Sequence, residues 1–178
     1  MTDVQATTGE LRASGDGRLI VPTTINGRPA TLTVRPWHTL LETLREQQGL
    51  FGVREGCGVG MCGACTVSLD GEPVSSCLVL APQVAGREIR TVEGMASPDG
   101  TLSDLQQAFV DHTAFQCSYC TSGFLITAER LAEEHPDADD EEIRRYLAGN
   151  LCRCGSYVKI LDAVRDVLER RRSERAAG

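Results

Sequence analysis

A chain of 178 residues that is 41% hydrophobic can build one ordinary domain or two small ones around a real core. Its formal net charge of −7 argues against nucleic acid or an anionic membrane surface as a main partner. No apolar run approaches the ~20 residues that span a bilayer, and the polar N-terminus has no apolar signal region, so a cytoplasmic protein is expected.

Residues 1–17 are small and polar and are expected to be disordered. Order begins at residue 18 with alternation: Leu19, Val21, Thr23 and Ile25 share one face of a strand, and Asn26-Gly27 supplies a tight hairpin turn. Ala30, Leu32 and Val34 face inward on the return strand, and Thr39 caps a short helix with Leu40, Leu41 and Leu44 on its apolar side. A glycine-rich stretch follows, then a strand at Thr66 to Leu69, the Asp70-Gly71 turn, an edge-like Pro73-Val74, and a last strand at Glu88 to Val92. Residues 18–93 are thus expected to form an α+β domain, with 94–101 as a linker.

From there the pattern turns helical. Ser103 and Gln106 have capping-box spacing for a helix through about His112. A second helix is predicted from Thr121 to Glu134, ended by Pro136. A third is capped by Asp139 and stops at Gly149, and a fourth carries Ile160, Leu161, Val164, Val167 and Leu168. Four amphipathic helices over residues 102–172 suggest an all-α four-helix bundle, followed by a flexible tail at 173–178.

The eight cysteines fall into two groups of four, the ligand count of a metal or cluster site. In a reducing compartment such spacings mean metal or redox chemistry more often than disulfides. Cys57, Cys62 and Cys65 form a C-x4-C-x2-C loop with Cys77 further on, the plant-type ferredoxin spacing for a [2Fe–2S] cluster. Each iron needs two thiolates, so one tight loop supplies three sulfurs and a separate segment the fourth. Gly56, Gly58, Gly60 and Gly63 allow close wrapping, with backbone N–H groups aimed at sulfur. Zinc loops usually come as two C-x2-C pairs, which fits this segment poorly. The second group, Cys117-Ser-Tyr-Cys120 with Cys152-Arg-Cys154, sits in the loops between helices; antiparallel packing would bring its sulfurs to one end. By spacing alone it suits either zinc or a cluster.

The stretches Glu55-Gly-Cys57-Gly-Val-Gly-Met-Cys62-Gly-Ala-Cys65, Phe115-Gln-Cys117-Ser-Tyr-Cys120-Thr121 and Gly149-Asn-Leu-Cys152-Arg-Cys154, in this order, resemble the iron–sulfur subunit of the molybdenum hydroxylases, the family of xanthine oxidase, aldehyde oxidoreductase and carbon monoxide dehydrogenase. The resemblance runs from about Leu19 to Leu168. It implies a β-grasp ferredoxin domain followed by a four-helix domain, each holding one [2Fe–2S] cluster: Cys57, Cys62, Cys65 and Cys77 in the first, Cys117, Cys120, Cys152 and Cys154 in the second. It further implies a large molybdopterin-binding partner whose pterin is contacted by Gln116 and Cys154, a medium FAD-binding partner, and a heterotrimer able to dimerise. Ser118 and Ser122, and Gly155-Ser156 before the shared Tyr157, stand where the family often has other residues. The chain would then be a non-catalytic electron-transfer subunit of a molybdenum-dependent oxidoreductase. The rival is a stand-alone two-cluster carrier, for which Gln116 would be incidental.

His38, His112 and His135 find no vacancy in a ligand set already filled by cysteine, and read as surface or cap residues. The acids at Asp137, Asp139, Asp140, Glu141 and Glu142 read as a solvated helix start, and Arg170 to Arg172 as compensation of a helix dipole. No phosphate loop, nucleotide fingerprint or nucleophile triad is visible.

Overall fold

The computed structural model describes Glu10 to Ala177. A six-stranded mixed sheet is built from β1 (Arg12–Ala13), β2 (Leu19–Ile25), β3 (Arg28–Val34), β4 (Thr66–Leu69), β5 (Glu72–Ser75) and β6 (Glu88–Arg90). β2 is the hub: it pairs antiparallel with β1 and β3 and parallel with β6, and β6 leads through β4 to β5 at the edge. The β2–β3 hairpin turns at Asn26-Gly27, both at positive φ, and its alternation buries Val21, Thr23, Ile25, Leu32 and Val34. Helix α1 (Leu40–Glu46) opens with a complete capping box between Thr39 and Glu42, worth about 1 kcal/mol. It buries Leu40, Leu41 and Leu44 in the same core as the sheet.

A second core is made by α2 (Asp104–Asp111), α3 (Thr121–Glu134), α4 (Asp140–Tyr146) and α5 (Tyr157–Ala177), with Phe109, Phe124, Leu105, Leu131, Ile143 and Leu168 all but inaccessible to solvent. Ser103 and Gln106 make the capping box of α2, and Asp139 caps α4 through the N–H groups of Glu141 and Glu142. His112 and His135 terminate α2 and α3 and face Asp166 and Glu142. No helix among the described residues is long and apolar enough to cross a membrane.

Several local expectations are corrected. Of the segment expected to be disordered, residues 1–9 lie outside the described residues, but Arg12 and Ala13 pair with Ile20 and Leu19 around a Ser14–Gly17 turn; the ladder satisfies backbone groups that a polar sequence alone would leave to water. The last strand ends at Arg90, because Val92–Gly94 closes into a 3-10 turn. The third helix of the helical half is α-helical only to Tyr146 and finishes as a 3-10 turn, Leu147–Gly149. Instead of ending at residue 172, α5 continues to Ala177, tethered where Arg172 and Arg175 reach Asp137. Arg171 does more than offset a dipole: it forks onto Asp104 with two 2.7 Å bonds and reaches Glu129 at 3.2 Å, tying α5 to α2 and α3. That guanidinium holds the Asp104 carboxyl below its ordinary range.

Candidate functional site

The β4–β5 hairpin places one pair of sulfurs. Asp70-Gly71 turns at positive φ, and the register from Leu69 opposite Glu72 to Thr66 opposite Ser75 sets Cys65 beside Ser76 and Cys77. Ser76 locks this mouth, its N–H and hydroxyl donating to the Cys65 carbonyl at 3.3 and 2.7 Å. Cys65 and Cys77 are buried. Burial, with the Cys65 thiol alongside, pushes the Cys77 thiol up to about 11.

The loop leading into β4 supplies the other pair. Gly58, Gly60 and Gly63 all stand at positive φ. The chain curls so that the N–H groups of Val59 and Met61 donate to Cys57 Sγ at 3.5 and 3.3 Å. Backbone donors, Val59 first, lower the Cys57 thiol to about 7. Cys57 is exposed and Cys62 half-buried, so this set has an open pair and a buried pair.

The second set is placed by helices. Each of its motifs stands just before one: Cys120 precedes α3 at Thr121, and Cys154 is followed by α5 at Tyr157. Two helix N-termini, each carrying about half a positive charge, therefore begin at the thiols. The Ser156 N–H donates to Cys152 Sγ at 3.4 Å, and the Cys152 N–H to Tyr157 Oη at 2.9 Å. Cys154 Sγ lies 3.5 Å from Cys117 Sγ, while Cys120 and Cys152 form the inner pair. Burial pushes the Cys120 thiol up to about 12, whereas the Tyr119 N–H lowers the exposed Cys117 thiol. Gln116 is exposed, its amide donating to the Cys154 carbonyl at 3.2 Å, which braces one motif on the other.

These donors fit [2Fe–2S] clusters. Two thiolates on one tetrahedral metal at about 2.3 Å stand roughly 3.7 Å apart, close to the Cys117–Cys154 separation of 3.5 Å. The sulfurs come in pairs: Cys117 with Cys154 and Cys120 with Cys152 in the helical set, Cys57 with Cys62 and Cys65 with Cys77 in the other. Two pairs per set suit two bridged irons. The hydroxyls of Ser122 and Ser156 are buried without hydrogen-bond partners at the starts of the two helices behind the second set. Sulfur acceptors between those helices would serve such groups.

The two sets face each other across a 410 Å³ cleft whose walls include Cys57, Cys62, Cys117, Cys120 and Cys152. Tyr119 Oη donates to the Glu55 carbonyl at 2.6 Å, the Leu151 N–H to the Cys62 carbonyl at 2.9 Å, and Asn150 Nδ2 to the Gly63 carbonyl at 3.0 Å. Sequence reasoning missed Gly63, Gly123, Asn150 and Tyr119 as contacts between the halves. The available signal was their position inside or beside the cysteine motifs.

Residues 23–96 match the 2Fe-2S iron-sulfur cluster binding domain family, and residues 91–165 a second family, the [2Fe-2S] binding domain. The chain is 48% identical over 153 residues to the nicotine 6-hydroxylase small subunit of Paenarthrobacter nicotinovorans, covering 86% of this chain and 92% of that one. It is 47% identical over 150 residues to the xanthine dehydrogenase iron-sulfur-binding subunit of Escherichia coli O157:H7, covering 83% and 93%. Among solved structures, quinoline 2-oxidoreductase from Pseudomonas putida 86 superposes with a TM-score of 0.82 at 43% identity, covering 85% of this chain and 93% of that one. With both domain families matched in tandem and relatives of this similarity along nearly their whole length, the chain belongs to the 2Fe–2S subunits of the molybdenum hydroxylases, the non-catalytic iron–sulfur members of oxidoreductase complexes.

Proposed function

We propose that the chain relays single electrons through two [2Fe–2S] clusters, from a molybdopterin-binding large subunit to an FAD-binding medium subunit, in a cytoplasmic heterotrimer able to dimerise. Cys57, Cys62, Cys65 and Cys77 hold one cluster, in what we read as a β-grasp domain. Cys117, Cys120, Cys152 and Cys154 hold the other, in a four-helix bundle. Each cluster, when bound, stores one electron at a time. The observation that carries this reading is the pairing of sulfurs in two sets that face each other across one cleft. Backbone N–H groups around Cys57 and helix N-termini behind Cys120 and Cys154 offset the negative charge that each site gains on reduction. Names such as small subunit among the relatives support larger partners.

Entry is assigned to the helical site. Gln116 and Cys154 lie side by side at its surface, and a neutral amide can pair with a polar pterin without adding charge beside an anionic cluster. Exit is assigned to the Cys57 site. The anaerobically purified chain should carry about four irons and four labile sulfides. Cys62→Ser should remove one paramagnetic signal and Cys152→Ser the other; zinc in place of half the iron would overturn the assignment. In the complex, Gln116→Ala should leave both clusters loaded and slow reduction of the helical-domain cluster by substrate, as one lost buried hydrogen bond of about 0.5–1.5 kcal/mol would. A lag confined to the flavin side would reverse the path.

A further inference from the structure

The two cysteine sets are pressed together by residues that are not themselves ligands. Gly63, between Cys62 and Cys65, lies in the first loop with φ +66. Its carbonyl accepts from Asn150 Nδ2, and Asn150 is 3% exposed. Gly123, in the first turn of α3, sits against the same carbonyl so closely that a Cβ added there would overlap it. A Cβ on Gly63 would likewise come within 2.6 Å of the Gly149 carbonyl. One residue further along, the Cys62 carbonyl accepts from the Leu151 N–H. A ligand of one set, Cys62, is thus joined by one hydrogen bond to the neighbour of a ligand of the other, Cys152.

We propose that Gly63, Gly123 and Asn150 are positioning residues: a backbone clamp that sets the separation of the two clusters and thereby the rate of transfer between them. This rests on the reading that both sets hold clusters. In the step concerned, one electron leaves the Cys117/Cys120/Cys152/Cys154 site, oxidising it by one equivalent, and reduces the Cys57/Cys62/Cys65/Cys77 site by one; no bond breaks and no proton need move. Transfer rates fall steeply with separation, and side chains at the two glycines would force the loops apart. Asn150 supplies the attraction: the Gly63 carbonyl is also held within its own half by the Thr66 N–H and hydroxyl, and the buried Asn150 amide is the donor that reaches it from the helical half. The ion pair of Arg130 with Glu72, at 2.5 Å, also joins the halves, but both residues lie outside the cysteine motifs.

The test uses the full chain with both clusters loaded and fully reduced. Electron paramagnetic resonance reads the spin–spin splitting between the clusters, which scales as the inverse cube of their separation. Gly123→Ala should narrow or abolish the splitting while iron content and each cluster's own g-values stay as in the wild type. Asn150→Ala, which adds no volume, should shift it in the same direction by less, and Glu72→Gln should leave it unchanged. Should Gly123→Ala lose a cluster, Asn150→Ala decides. Wild-type splitting in a loaded Asn150→Ala chain, or no splitting in the wild type, overturns the clamp; a wild-type chain with iron for only one cluster overturns the two-cluster reading instead.

Discussion

In the sheet half, all four cysteines come from one loop and the hairpin it leads into. In the helical half they come from two motifs with α3 and α4 between them. Cys65 meets Cys77 because β4 and β5 pair in one register around a two-residue turn. Cys117 meets Cys154, and Cys120 meets Cys152, only when the helices have packed. The first site is therefore a product of local backbone geometry, and the second a product of a finished core.

The largest effect should come from damaging that core at a residue outside the cysteine motifs. Phe109, on α2, is 1% exposed and belongs to the cluster that α3, α4 and α5 share. Phe109→Ala should cost about 3–5 kcal/mol. Iron should fall from about four per chain to about two, with the Cys57-site signal intact. Loss of both signals together would show that the halves do not fold as distinct units. A smaller and opposite effect is expected of Gly60→Ala. Gly60 stands at φ +76, and a Cβ there would run into the Leu78 side chain. The strain of ~1–2 kcal/mol should weaken the Cys57 site alone, read as faster loss of its signal to a chelator.

The contrast also governs what the sequence reveals. The Asn26-Gly27 and Asp70-Gly71 turns, the Thr39 and Ser103 caps and the α3 boundaries at Thr121 and Glu134 are legible because each is a local signal of a few residues. The C-x4-C-x2-C loop is legible for the same reason. Less legible is what depends on distant partners. Nothing near Arg12 announces that Ile20 will pair with it, and nothing near Arg171 announces Asp104. Gly63 reads only as a residue that lets its loop wrap closely, and nothing near Gly123 announces that it will lie against the Gly63 carbonyl. Gln116 is the intermediate case: the family resemblance points outward to a pterin, and the structure adds an inward bond to Cys154.

The smallest effect is expected within the helical half, at the one non-glycine residue there whose backbone is strained inside a cysteine motif. Ser118, between Cys117 and Cys120, stands at φ 60. Relief of the left-handed strain, offset by the greater freedom of glycine in the unfolded chain, should make Ser118→Gly more stable by ~0.5 kcal/mol. The check is a small upward shift in the urea midpoint, with the Cys57-site signal unmoved.

Each cysteine set has one exposed member, Cys57 in the first and Cys117 in the second, while Cys65, Cys77 and Cys152 are buried. Access to the sulfurs is therefore one-sided. A donor that builds the proposed clusters, and an oxidant that destroys them, would meet Cys57 and Cys117 first, and both border the one cleft between the sets. A companion subunit seated over that cleft would guard a cofactor inside and close it to further repair, so maturation of this chain should come before its assembly.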